Sequence, residues 1–169
     1  MKGSLKIIVK DVETGVEEIR EGNNIIVKNA SKLMAELMRG VSFTDPLRVQ
    51  VPGILTLAVG TGGLGWTLQS PPIATSDQEQ LETEIFRKQF DSVNYIDTLG
   101  NITPTRTNII DLTTVFSVSE ANDALVEMGL FGGDGATSTG GGTMINYYTF
   151  PVINKNATST MSIIWRLVF

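Results

Sequence analysis

The sequence predicts a mainly β protein, an antiparallel β-sandwich of jelly-roll type with one short flanking helix, in a single domain of 169 residues. Short segments of alternating apolar residues, such as Leu5, Ile7 and Val9, are typical of half-buried strands. Clusters of turn residues separate these segments, as in sandwiches and jelly rolls. One segment alone, residues 30–39, has the apolar spacing of a helix.

Residues 1–28 are expected to form a hairpin and one further short strand. Residues 4–10 alternate between apolar and polar positions, and residues 16–20 return after a turn. The turn at residues 11–15 ends in a glycine, which adopts positive φ without strain. Residues 24–28 then predict another short extended piece.

Residues 29–40 predict the helix on the flank of the sandwich, near residues 30–39. Asn29 is a favourable N-cap and Gly40 a favourable stop. A helix this short depends on packing against a sheet for its stability. The apolar stripe that would pack is formed by two pairs spaced four residues apart, Leu33 with Leu37 and Met34 with Met38.

Residues 53–169 are expected to supply the main strands of the sandwich. The segment 132–142 is half glycine and predicts a floppy hairpin tip, and residues 61–76 predict a long loop. In the closing segment 161–169, every second residue is apolar, with Trp165 among them, so this face is expected to be buried. The other predicted strands are 54–59, 84–95, 108–118, 125–131 and 143–150.

The composition excludes several classes of function. The chain has no His and no Cys, which removes His-based triads, thiolate chemistry and His-ligated zinc. Its net charge is −5 with no basic cluster, so we expect no nucleic-acid binding. The N-terminus lacks a signal-peptide pattern, and no apolar run is long enough for a membrane helix. Charged residues make up only 18% of the chain, which favours a surface covered by partners or rich in Ser, Thr and Asn.

The segment Gly60–Gly65, GTGGLG, matches the dinucleotide-binding pattern G-x-G-x-x-G. That pattern binds pyrophosphate through the N-terminus of a helix that follows the glycines. Pro71 and Pro72 stand where this helix would have to form, and proline removes donors and disfavours helical geometry in the preceding residue. We therefore predict a tight turn after a strand, with no nucleotide bound.

Two further groups of residues are candidates for a carboxylate or cation site and for a sugar-binding platform. Glu79, Glu82 and Glu84 could form a carboxylate pair or a cation site, but their spacing along one segment favours a solvated acidic turn. Tyr147 and Tyr148 are adjacent in a strand, so their rings should point to opposite faces and form no aromatic sugar platform. No catalytic, cofactor-binding or metal-binding residue is predicted, and no enzyme activity is expected.

Four blocks of residues, in a fixed order, resemble structural proteins of tailed bacteriophages found in the tail, baseplate, neck and fibre bases. In such proteins a strand ends in a Gly-Thr-Gly turn that precedes a leucine, an acid and an arginine. The blocks are Asn24–Val27 with Leu37–Gly40; Leu57–Gly62 with Leu81, Glu84 and Arg87; Glu120–Asn122 with Val126–Phe131; and Thr143-Met144, Tyr148–Lys155 and Ile163–Phe169.

The resemblance implies a virion structural protein, assembled in the cytoplasm of a host bacterium, that acts by symmetric subunit assembly and carries no catalytic residues. Its partners would be other phage structural proteins and further copies of itself, a trimer by analogy with fibre-like proteins. Two alternatives stay open: a capsid decoration protein, and a carbohydrate-binding sandwich used in host recognition. An enzyme that uses carboxylates would need two acids converging in a pocket.

Overall fold

The computed structural model describes residues 2–27, 30, 53–105, 107 and 109–168, and these form ten strands. All strand pairs are antiparallel, and they build one sheet with the order β4-β3-β8-β9-β2-β1-β10-β7-β5-β6. The strands are β1 Lys2–Asp11, β2 Glu17–Ile26, β3 Ile54–Gly60, β4 Glu84–Gln89, β5 Ser92–Ile96, β6 Ile102–Thr103, β7 Ile109–Phe116, β8 Ala124–Gly132, β9 Thr143–Asn154 and β10 Ser159–Val168.

The sheet consists of two halves joined by a narrow connection. Half I contains β2-β1-β10-β7-β5-β6, and half II contains β4-β3-β8-β9. Strand β2 pairs with β1 over eight residue pairs and then with β9 over two, Ile25 with Tyr147 and Ile26 with Asn146. The first part of β2 therefore belongs to half I, and its last two residues reach half II.

The two halves pack face to face over a shared apolar core. Trp165 of half I has no exposed surface and lies in the same buried cluster as Leu130 of half II. Phe86 of β4 meets Phe116 of β7 edge to face, with ring centroids 5.8 Å apart. Because one cluster draws side chains from both halves, the molecule has the two-layer arrangement of a sandwich, although the layers are hydrogen-bonded at one side.

Strands β1 and β10 form the longest ladder of half I, with ten residue pairs. Their inward residues lie opposite each other, as in the pairs Leu5 with Trp165 and Ile7 with Ile163, and all four side chains are buried. The predicted burial of the closing face is thus confirmed for Met161 to Leu167. Phe169 lies outside the described residues.

The predicted antiparallel β class is confirmed. Two finer predictions, the flanking helix and the jelly-roll connectivity, are not confirmed. The helix near residues 30–39 lies outside the described residues except for Ala30, which is buried. The jelly-roll connectivity is not confirmed, because all ten described strands form one continuous sheet. Both features stay predictions. No helix among the described residues has the length and apolarity needed to cross a membrane.

The prediction of one long strand over residues 84–95 is wrong. The segment forms β4 in half II and β5 in half I, because the chain crosses between the layers at Phe90 and Asp91. Asp91 fixes this crossing with its main chain and its side chain. Its backbone N–H donates to the carbonyl of Thr113 at 2.8 Å, and its carboxylate accepts from the N–H of Val115 at 2.7 Å. The sequence carries no Gly or Pro at the crossing, so the pattern did not reveal it.

We predict that Trp165→Ala lowers the free energy of unfolding by about 3–5 kcal/mol, because it opens a cavity in the shared core. The matched control is Val168→Ala on the same strand, where the side chain is 37% exposed and the expected cost is below about 0.5 kcal/mol. Urea unfolding followed by fluorescence or circular dichroism measures both. Equal losses in the two variants would contradict the packing of β10.

Candidate functional site

The Gly60–Gly65 segment serves packing in this structure. The described residues 61–83 form turns and no helix after β3, so the element that would bind a phosphate is missing there. A Cβ at Gly60 would lie 2.6 Å from Oε1 of Glu127. A Cβ at Gly62 would lie 2.7 Å from Val126 and closer still to the ring of Trp66. The glycines therefore leave room for side chains of this chain.

Glu127 is the polar centre of half II. Its side chain has no exposed surface, although it lies in a strand between the apolar residues Val126 and Met128. Oε1 accepts hydrogen bonds from the N–H groups of Gly62 at 3.1 Å and Thr83 at 2.9 Å. A buried carboxylate is stable only when such donors replace water.

The second oxygen of Glu127 has two donors of its own. Oε2 accepts from the N–H of Glu82 at 3.0 Å and from the hydroxyl of Tyr147 at 2.7 Å. Burial and the neighbouring carboxylate raise the pKa of Tyr147, so this phenol stays protonated and donates. All four donors belong to the chain itself. The three backbone donors attach both ends of the 61–83 loop to β8, and the Tyr147 hydroxyl links β9 to the same carboxylate.

Arg87 and Glu84 form a buried ion pair beside this carboxylate. Nε of Arg87 donates to Oε1 of Glu84 at 2.8 Å and Nη2 to Oε2 at 2.6 Å, and both side chains are less than 10% exposed. The guanidinium lies 3.8 Å from the ring centroid of Phe131, a cation–π contact. A buried pair of this kind needs further hydrogen bonds to offset the desolvation of both charges.

Those further hydrogen bonds come from the glycine-rich segment 132–142. Nη1 of Arg87 donates to the carbonyls of Ala136 at 3.0 Å and Gly141 at 2.7 Å. The N–H of Gly140 donates to Glu84 at 3.1 Å, and Ala136 is buried. The prediction of a floppy hairpin tip is therefore wrong, because a buried ion pair in β4, distant in sequence, holds the tip in place.

The structure does not bring Glu79, Glu82 and Glu84 together. Glu84 is paired with Arg87, while the exposed Glu82 accepts a hydrogen bond from Gln78 at 3.0 Å. Glu79 is also exposed. No group of three acids among the described residues is arranged to hold a metal ion.

The two adjacent tyrosines do point to opposite faces, as predicted. Tyr147 lies in the outer cluster of half II under the 61–83 loop, and Tyr148 packs against the shared core. Its ring stacks on Phe150 with centroids 5.9 Å apart.

Sequence reasoning missed two buried charges that organise loops. Glu127 is one, and the signal was an acid inside the apolar run from Leu125 to Phe131. Lys155 is the other: it is 3% exposed, and its Nζ donates to Oδ1 of Asn122 at 2.8 Å. Burial lowers the pKa of Lys155. No pattern around Lys155 distinguishes it from a surface lysine.

The outer face of half I is a second notable surface of the described residues. Lys6 pairs with Glu21 at 3.1 Å, Lys10 with Glu17 at 3.3 Å, and Arg166 with Asp111 at 2.7 Å. Strand alternation and register place these side chains on one side of the sheet. The outer face of half I consists of Ser4, Lys6, Ile8, Lys10, Glu17, Ile19, Glu21, Asn23, Ile109, Asp111, Thr113, Val115, Thr160, Ser162, Ile164, Arg166 and Val168.

An apolar row crosses this face between the ion pairs. Ile19 lies opposite Ile8, Ile8 opposite Ser162, and Ser162 opposite Val115. Ile19 is 52% exposed and Val115 39%. Next to the row, a depression of about 540 Å³ is lined by two of the ion pairs, by Ile164 and by polar groups of β1 and β2.

A second depression, of about 400 Å³, lies between β2, β9 and the 61–76 loop. The loop is held there by two hydrogen bonds from β9, Val152 N–H to the carbonyl of Leu68 at 2.8 Å and the Thr149 hydroxyl to the carbonyl of Pro72 at 2.7 Å. Its lining carries no charged side chain: Asn23, Asn24, Ile25, Gln69, Ser70, Pro71, Ile73, Ala74, Tyr148, Thr149, Phe150 and Pro151.

The apolar residues of the 61–76 loop divide into two groups. Trp66 packs on the outer cluster of half II, so its contact is within the chain. Leu64 and Ile73 remain in solvent, at 107% and 88% exposure. Large apolar side chains at such exposure are typical of surfaces that meet a partner when they occur in groups.

Comparison of the chain with protein-family models, with curated proteins and with solved structures returns no match.

We predict that Gly62→Ala is more destabilising than Gly65→Ala. Both glycines have positive φ, +80° and +83°, so both alanines carry strain of about 1–2 kcal/mol. Only at Gly62 would the new Cβ also meet Trp66 and Val126, because nothing lies within 4 Å of the Cβ at Gly65. The additional cost is about 1–3 kcal/mol, measurable by urea unfolding. Equal costs would show that the loop does not pack as described.

We predict that Tyr147 makes the protein less stable in alkali. Its pKa is raised in the folded chain, so the stability that it contributes is complete below the unfolded pKa of about 10 and falls above it. The slope is up to about 1.4 kcal/mol per pH unit. Urea unfolding between pH 8 and 11 should show this extra slope in the wild type and not in Tyr147→Phe. Parallel stability curves would contradict a buried, neutral phenol.

Proposed function

We propose that this protein is a structural component of a bacteriophage virion, in the tail, neck, baseplate or fibre-attachment region. It acts by subunit assembly and without catalysis, with other virion proteins and further copies of itself as partners. Capsid decoration is the alternative location within the same function.

The observation that carries the proposal is that the buried charged side chains hold loops in place. Glu127, Glu84 and Arg87 all have hydrogen-bond partners within the chain, and these partners are loop backbone groups, the Tyr147 hydroxyl or each other. Charges used in this way fix loops on a β framework. A framework with rigid loops suits a subunit that must present a constant surface to its neighbours.

Residues from two of the four blocks that carry the resemblance to phage structural proteins also meet in space. The Gly-Thr-Gly turn donates to Glu127, and Leu81 lies in the outer cluster beside it. Glu84 and Arg87 anchor the neighbouring hairpin tip. A pattern scattered over about seventy residues therefore corresponds to one physical unit, which supports the resemblance as more than a chance of composition.

A carbohydrate-binding function is the second candidate. The depression beside β2 and the 61–76 loop is lined by amides, hydroxyls and apolar groups without a charged side chain. Neutral sugars use such donors and acceptors together with an apolar surface. Tyr148 supplies part of this surface, but its ring is half-buried against the core. Binding on a glycan array distinguishes this candidate from the first.

The proposal is tested on purified phage particles from a strain that carries the gene. We expect mass spectrometry to find the chain in the particles, at a fixed ratio to the tail or capsid proteins. Genes for tail, portal or capsid proteins on either side would agree with this result. Finding the chain in the soluble lysate but not in the particles would contradict the proposal.

A further inference from the structure

We propose that the outer face of half I binds the same face of a second copy of this chain, in a two-fold arrangement. This inference rests on the proposed function, since it identifies a surface through which subunits assemble. A two-fold contact is isologous, so the face must complement itself in charge and in shape. The described residues of the face meet the requirement for charge, because each basic side chain among them is paired with an acid.

The described side chains of this face carry no net charge, although the chain carries −5. Its three basic side chains are each paired with an acid on a neighbouring strand, at distances from 2.7 to 3.3 Å. Two copies that approach through this face therefore meet without net repulsion between the described side chains, because each charge has an opposite charge beside it. Approach through surfaces that carry the excess acids would be repulsive, and like-charge contacts suppress wrong pairings.

The size of the face is adequate for a specific contact. Each residue covers about 16 Å² of a sheet, from the strand spacing and the rise per residue. Strands β2, β1, β10 and β7 therefore present a flat area of roughly 600 Å². Protruding side chains make the accessible surface larger than this flat area. A specific interface of standard size buries about 800 Å² per partner, and weaker contacts bury less. The row from Ile19 to Val115 supplies an apolar centre with a polar rim.

A second copy is favoured because the chain covers its other outer face by itself. On half II, the loops 61–83 and 133–142 bury an outer cluster that includes Trp66, Leu81 and Ala136. No described loop does this on half I. The described residues that flank segment 31–52 contact strands or loops next to half II: Ala30 packs with Ile145, and the carbonyl of Gly53 accepts from the N–H of Gly133.

The test uses the full chain in sedimentation equilibrium and light scattering at micromolar concentrations. We expect a species of twice 18.3 kDa. Ile19→Lys places a charge in the apolar row and should raise the dimer dissociation constant at least about tenfold. The matched control is Leu64→Lys, which changes a fully exposed leucine outside the face and should leave dimerisation unchanged. Thermal melting confirms that both variants fold.

A charge reversal provides a second, independent measurement. Lys6→Glu places two acids side by side on the face and should weaken the dimer, and adding Glu21→Lys should restore it by re-forming the pair in reverse. Three results would overturn the inference: a dimer broken by Leu64→Lys and not by Ile19→Lys, a trimer, or a monomer at micromolar concentration. The first two leave the proposed virion function standing, since particle mass spectrometry tests that separately.

Discussion

The carboxylate of Glu127 is the interaction on which half II depends. An ionised group without water is tolerated only when the protein supplies its hydrogen bonds, and here four donors converge from β9 and both ends of a long loop. The loop in turn contributes Trp66 and Leu81 to the outer cluster, where they pack with strand residues such as Phe131. The hydrogen bonds of Glu127 therefore fix the path of the 61–83 loop, which has no periodic pattern of apolar residues.

The buried faces of the strands could be predicted better than the strand bounds and the loops, for a physical reason. Alternation reports which side of a strand is buried, so the face from Met161 to Leu167 could be recognised from its letters. Loop order is decided by contacts distant in the chain: Arg87 holds Gly141 across more than fifty residues. The glycine-rich segment itself contains no signal for the distant arginine that binds its carbonyls.

The crossing at Phe90 and Asp91 illustrates a related difficulty. No Gly or Pro lies between Phe86 and Tyr95, so the sequence carries no strong turn signal where the chain changes layer from β4 to β5. The GTGGLG segment is the opposite case, in which the residues match a known pattern but the neighbouring prolines remove its helix. For Glu127, an acid in an apolar run was the one available signal, and its partners could be found only in three dimensions.

The narrow connection between β2 and β9 has a mechanical consequence. A force that slides β1 past β10 acts on ten residue pairs at once, because their hydrogen bonds are loaded together in shear. A force that separates the two halves acts on two residue pairs, on a few side-chain hydrogen bonds such as that from Lys88 to the carbonyl of Val115, and on apolar contacts in the core. The molecule is therefore stiff along its strands and compliant between its layers. A load carried along β1 and β10 would pass through the described part of the chain without opening the core.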